Sequence, residues 1–407
     1  MKAIIGIIIG AALLQACEII PADDPEFDYN KKSAEVVNTN NEFGLELFRE
    51  INEADDNQNI MISPASVSLA LGMTYNGAET STKEAFEEVL NYEGLTRDEV
   101  NKISQDLVEA LLIDTRDNLV EIANSIWYNE GFPVKEDFIS DNRMYYDAEI
   151  RELNFMSQGA IDEINKWVSD KTHDKIDKII EELSPEAMMV LINALYFNCI
   201  WEYEFDPDHT LLENFYNEDG TIYGEVDLMT TESSFNYAEG ENYKAVELPY
   251  KDHKYSMHLI LPDVETSLNE LITLLDGETW NKWIEAYNEY EEVQLTMPKF
   301  TFAFERSLRS DLIEMGLGVA FSGQADFSGI SDISLLISEV IHKTYIDVNE
   351  EGTEAAAVTA VVMELTSVIP GEEKKFLRLD RPFLFAITEN TSKSIVFIGK
   401  VEAPSYE

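Results

Sequence analysis

The residues that could do chemistry in this chain are easier to exclude than to find. There is no Gly-x-Ser-x-Gly elbow and no His-Glu-x-x-His run, so the local markers of a hydrolase nucleophile and of a zinc protease are missing. In Gly316-Leu317-Gly318, Phe321 stands where a dinucleotide fingerprint needs its third glycine. His253 and His258 are five apart on a hairpin, which predicts opposite faces and no shared metal. A Ser-His-Asp triad can be assembled from distant residues, so sequence does not exclude it. Asp and Glu number 79, too many for any two to nominate a glycosidase pair. Two cysteines without a Cys-x-x-Cys spacing exclude a disulfide scaffold, thioredoxin chemistry and a structural zinc site. The expectation is a non-enzyme with no cofactor and no metal.

One stretch has a composition suited to mechanical work. After Lys343-Thr344-Tyr345-Ile346-Asp347-Val348 comes Asn349-Glu350-Glu351-Gly352-Thr353-Glu354-Ala355-Ala356-Ala357-Val358-Thr359-Ala360. It runs on through Val361-Val362-Met363-Glu364-Leu365-Thr366-Ser367 to Pro370. An alanine run favours helix. Yet no helical apolar stripe is present and the large residues are β-branched, which fits a strand better. With Thr353 facing inward, Ala355, Ala357, Thr359, Val361 and Met363 share its face. Glu354, Ala356, Val358, Ala360, Val362 and Glu364 share the other. Small residues lead and no proline interrupts, so the segment could slide between two strands and supply every ladder N–H. A surface helix or an exposed linker is the alternative.

The elements that must hold this segment are legible as helices first and strands later. Phe43, Leu47 and Ile51 recur at helical spacing beside Phe48. Ser63-Pro64 predicts the opening of a second, central helix, with Gly77 as its stop. Ser81…Glu84 and Thr96…Glu99 are capping-box patterns. The second is followed by Val100, Ile103, Leu107, Ala110 and Leu111. Asn118 to Asn129 alternates like a strand. Ile161, Ile164 and Val168 mark a helix beside Trp167. Residues 190–197 are apolar apart from Asn193 and predict a strand buried on both faces; a buried Asn needs partners. Residues 243–262 read as a hairpin turning at Lys251 to Lys254. The class is α+β with a large, mostly antiparallel sheet in one domain over 35–407.

The formal charge is −50, which argues against nucleic acid and against a heparin groove. Hydrophobic residues at 45% suffice for a large core. Residues 1–17 carry Lys2, an apolar run from Ala3 to Leu14, and Leu14-Gln15-Ala16-Cys17. At about 1.5 Å per residue the run is shorter than the roughly 30 Å hydrocarbon core, so it reads as a signal peptide. Its end resembles a bacterial lipobox, which implies lipid on Cys17 as the first mature residue. Glu18 replaces the Asp that retains such proteins in the inner membrane. The expectation is an exported, lipid-anchored protein on the outer membrane or cell surface. Residues 18–34 read as a flexible tether.

From about residue 35 the chain resembles the serpin family. The matching blocks are NIMISPASVSLALGMTYNGAETST, VLINALYFNCIWEYEF, YSMHLILP, LTMPKFTFAFERSLRSDLIEMGL, ADFSGIS, LRLDRPF and IVFIGKVEAP, in family order. The segment EEGTEAAAVTA resembles the family's hinge. Cys199 departs from the lysine or glycine common at its place.

The resemblance implies a serpin fold with further sheets and an exposed reactive-centre loop at about 350–375. It implies inhibition of a target serine or cysteine protease, by an acyl-enzyme followed by insertion of the hinge Glu350, Glu351, Gly352, Thr353, Glu354, Ala355, Ala356 and Ala357 into the main sheet. About fifteen inserted residues at 3.3 Å each would carry the protease about 50 Å. Counting from Glu350 places the reactive bond at Thr366–Ser367, with Leu365 the next candidate. Thr or Leu there suits elastase-like, subtilisin-like or papain-like enzymes better than trypsin-like ones. Ser63, Ser66, Asn193 and His342 match a polar cluster under the parting strands, and Trp201 the top of the sheet. No heparin-binding helix is implied, and the expected state is a monomer. A non-inhibitory serpin that binds or stores a ligand is the other reading, against which the small hinge residues argue.

Overall fold

The computed structural model describes residues 31–183, 187–354 and 374–406. The helices are α1 (Lys31–Ala54), α2 (Pro64–Tyr75), α3 (Thr80–Val89), α4 (Arg97–Leu111), α5 (Glu136–Tyr146), α6 (Gln158–Lys171), α7 (Leu268–Thr273), α8 (Gly277–Glu285) and α9 (Arg309–Glu314). The strands are β1 (Asn59–Ile62), β2 (Ile113–Asp114), β3 (Asn118–Asn129), β4 (Glu149–Leu153), β5 (Met189–Ile200), β6 (Leu211–Tyr216), β7 (Ile222–Glu239), β8 (Tyr243–Pro249), β9 (Tyr255–Pro262), β10 (Asn288–Pro298), β11 (Phe300–Ser307), β12 (Ile341–Val348), β13 (Gly352–Thr353), β14 (Lys375–Arg378), β15 (Phe383–Glu389) and β16 (Ile395–Val401).

The strands form two sheets. One runs β1-β16-β15-β9-β8-β7-β10-β14, with β6 on β7; the other runs β11-β12-β13-β5-β3-β2, with β4 on β3. Pairing is antiparallel except at β10–β14 and β3–β4. This is the α+β class with a mostly antiparallel main sheet.

Local chemistry explains most element starts. Ser63 caps α2 by accepting the Ser66 N–H, and Pro64 opens the helix. Thr96 and Glu99 form a full capping box on α4. Ser81 and Glu84 do not. The helix begins at Thr80 behind Glu79 with no side-chain cap, and a distant loop anchors this end: Glu79 N–H donates to Asp326 O at 2.8 Å and Thr80 Oγ1 to Asp326 Oδ2 at 2.9 Å. Gly77 follows the C-cap Asn76, where a stop glycine belongs, but without the positive φ of a left-handed cap. A Cβ there would lie 2.0 Å from Ile330 Cγ1, so packing demands the glycine. Helix α1 starts at Lys31, inside the segment read as tether.

The hairpin over 243–262 forms from β8 and β9, with Glu247 opposite His258. His253 sits in the turn at φ 53° rather than on a strand. Strand β5 is covered on both faces. Ile192 and Ala194 pack with Ile164 and Trp167 of α6, while Phe197 and Cys199 join the core between the sheets. Asn193 and Leu195 nevertheless keep partial exposure, and among the described residues β5 has no full-length neighbour on one side.

Candidate functional site: the hinge and the open seam

That missing neighbour defines the site. β5 pairs along its length with β3. On its other side it meets β13 alone, with Gly352 opposite Ile200 and Thr353 opposite Cys199. β13 in turn meets β12 at Val348–Thr353. Below that point, among the described residues, β5 and β12 share no ladder with any strand or with each other on the facing edges. Two residues of hinge thus join the halves of the sheet, and an open seam continues from them.

The top of the seam is tightly built. Trp201, fully buried, stacks on Tyr250 at 4.4 Å and 21°, and its indole N–H donates to Asn349 O at 2.9 Å. Trp201 N–H donates to Glu351 O and Phe205 N–H to Glu350 O, both at 2.9 Å. Tyr250 OH lies 2.6 Å from Thr353 Oγ1, so Thr353 does face inward. Gly352 is required by close approach, since a Cβ would sit 2.2 Å from Cys199 O. The Glu350 carboxylate holds Lys299 at 2.9 Å and accepts Thr210 Oγ1 at 2.8 Å. Burial pushes that carboxyl up, but the bonds from Lys299 and Thr210 outweigh it and hold it below the ordinary range.

Glu354 ends the inserted stretch. Its N–H donates to Asp347 O at 2.7 Å, and its φ of 61° departs from strand geometry. Lys175 Nζ lies 3.0 Å from its Oε1, an ion pair without an aligned hydrogen bond to that oxygen. Burial raises the Glu354 carboxyl, and Lys175 offsets this only in part.

Beneath the seam the predicted polar cluster is split. Ser63, Ser66 and His342 come together: Ser63 N–H donates to His342 Nε2 at 3.0 Å and Ser63 Oγ to Ser66 Oγ at 3.0 Å. Asn193 is not bonded to them. It lies across the seam on β5 and donates Nδ2 to Asn124 Oδ1 at 2.7 Å. Asn124 Nδ2 donates on to Tyr146 O at 2.6 Å. Asn193 Oδ1 is buried and has no hydrogen-bond partner, so one acceptor on this bank is unmet. Helix α2 packs on β5 while its cap Ser63 bonds His342 of β12, so one helix touches both banks.

Ala355, Ala356, Ala357, Leu365, Thr366, Ser367 and Cys17 lie outside the described residues. Sequence reasoning missed Tyr250, Lys299, Lys175 and Asn124. Asn124 had a signal, an amide inside an alternating strand. The other three come from distant chain segments and had none.

Two measurements check this geometry. Gly352→Ala should drive β13 out of the sheet and expose Cys199, now fully buried, to alkylation read by peptide mass; unchanged protection would contradict the close approach. Burial pushes His342 down to about 4, below the unfolded value of about 6.5. The unfolded state therefore binds the extra proton between those values, and stability falls as pH drops through that window. Between pH 7.5 and 5 the wild type should lose about 2 kcal/mol more than His342→Asn. Equal losses would show that His342 is not held neutral.

Comparison with known proteins agrees with this architecture. A family model described as serpin (serine protease inhibitor) matches residues 38–404. An uncharacterized serpin-like protein of Methanosarcina acetivorans is 38% identical over 92% of this chain and 89% of its own. The thermophilic serpin tengpin in its native state superposes with a TM-score of 0.83 at 35% identity, covering 92% of this chain and 95% of its own; its latent state gives 0.78 at 32%, covering 91% and 98%. Thyroxine-binding globulin in complex with thyroxine gives 0.80 at 27% identity, over 91% and 100%. A match from end to end of the folded region, on a sheet whose seam opens at the hinge, means that the chain belongs to the serpin family.

Proposed function

We propose that the protein is a suicide-substrate inhibitor of serine proteases of the elastase or subtilisin kind, extending to papain-like cysteine proteases. The observation that carries this reading is the two-residue hinge seated at the head of a seam that no strand fills among the described residues. The target's nucleophilic oxygen or sulfur attacks the carbonyl of Thr366. The Thr366–Ser367 amide breaks, its nitrogen takes a proton and leaves as the new amino terminus at Ser367, and the enzyme is esterified to Thr366. Leu365 is the next candidate for the acylated residue. The freed strand then zips into the seam behind Thr353, with Ala355 to Ala357 offering no bulk, and drags the acyl-enzyme with it.

The proposed setting is the cell surface or outer membrane, with Cys17 lipidated and the domain acting as a monomer on foreign proteases. Neither nucleic acid nor heparin is a proposed partner. A second reading, a non-inhibitory binding protein, has behind it the likeness to thyroxine-binding globulin.

Incubation with an elastase, a subtilisin, a papain-like enzyme and trypsin separates the two. The inhibitor reading predicts a complex with a non-trypsin enzyme that survives denaturation, together with release of the peptide Ser367–Glu407. Cleavage with all four enzymes left active and no covalent adduct would favour the binding protein.

A further inference from the structure

The segment after α6 crosses the outer face of the seam and touches β3, β5 and β12. His173 Nε2 lies 2.6 Å from Glu121 Oε2 on β3, and its ring is 4.2 Å from that of Tyr196 on β5. Lys343 Nζ, on β12, donates to Lys178 O at 2.8 Å. Ile176, Ile179 and Ile180 are buried in the cluster that holds Trp167 and Ile192. Asn165 accepts the N–H groups of Ile179 and Ile180 at 2.9 and 3.0 Å. The crossing is therefore pinned by its own packing.

Lys175 projects from this crossing to two places at once. Its Nζ is 5.1 Å over the Tyr345 ring of β12 and 3.0 Å from Glu354 Oε1. The Glu354 side chain is 8% exposed, lies in the field of Asp347, and has no aligned hydrogen bond to Oε1. Lys175 is the cation that compensates it. Without that cation a buried carboxylate faces a second acid, an arrangement the hinge can relieve by leaving the sheet.

The two ends of the hinge are thus gripped from opposite faces. Thr353 is held on the inner face by Tyr250 at 2.6 Å, and Glu354 on the outer face by Lys175. A one-residue slip would exchange these faces and drive the Glu354 carboxylate against the stacked Trp201 and Tyr250. We infer that Lys175 is a positioning residue for strand insertion, fixing through Glu354 the register in which the hinge is seated before any protease acts. This inference deepens the inhibitor reading and rests on it for its consequence, the efficiency of trapping.

The test uses the full-length chain, first without protease. In hydrogen–deuterium exchange, Lys175→Met should speed exchange in the peptide spanning Asn349–Glu354 by roughly tenfold, the order expected when a largely buried ion pair is broken at a locally opening segment. Lys175→Arg should keep the protection. Lys175→Glu should lose it, and the swap Lys175→Glu with Glu354→Lys should restore it. If Lys175→Met also loosens α6, the swap decides: no recovery over Lys175→Glu alone overturns the inference, as does unchanged exchange in Lys175→Met. With a protease that the wild type traps, Lys175→Met should raise the share of chains cleaved without trapping. A wild type that protects its hinge but traps no protease would sink the inhibitor reading and leave the latch standing.

Discussion

Everything in this molecule turns on a join two residues long. Gly352 and Thr353 connect β12 to β5 at one end of the seven-stranded sheet, and beyond them the facing edges run on without a ladder among the described residues. Backbone N–H and C=O groups along a strand edge are strong donors and acceptors that a further strand can satisfy. In sequence, Glu354 is followed by Ala355, Ala356 and Ala357, which carry little side-chain bulk. In the proposed inhibitor the entering strand comes from residues 355–373, joined to the fold at Glu354 and Lys374. On that proposal, a cut within 355–373 frees the strand to enter.

The surroundings of the join are built to hold it without closing the seam. Trp201 and Tyr250 form an aromatic floor under Thr353, and Lys299 anchors Glu350 where the hinge enters. The polar groups beneath are divided between the banks, His342 with Ser63 on one and Asn193 with Asn124 on the other. A continuous network across the gap would have to be broken before a strand could enter. Here the two networks are separate, and the Asn193 oxygen is unmet.

Local signals in the sequence were faithful where local physics decides. The Ser63-Pro64 start, the Thr96–Glu99 box and the strand over Asn118–Asn129 all appear as read, although burial along that strand does not alternate. They failed where a distant segment takes over. Asp326 displaces the Ser81–Glu84 box, and Ile330 is the reason for Gly77. The stretch after Val348 stood out by composition, with small residues, strand-like faces and no proline, but its reading as a hinge came from the resemblance to the family. Its partners were not, because Lys175, Tyr250 and Lys299 are ordinary residues until the chain folds. No periodicity marks a lysine that will meet a glutamate from the far end of the chain. Asn193 and His342 were singled out by resemblance, and their separation across the seam needed the structure.

The most direct test of the central claim is the thermal midpoint of the protein before and after a single cut within residues 355–373. If the seam accepts the freed strand, the cut form should unfold at a temperature higher by about 10 °C or more, from roughly ten new ladder hydrogen bonds at about 1 kcal/mol each. A midpoint that is unchanged or lower after cutting would contradict the account, because a nicked loop with nowhere to insert can only lose stability.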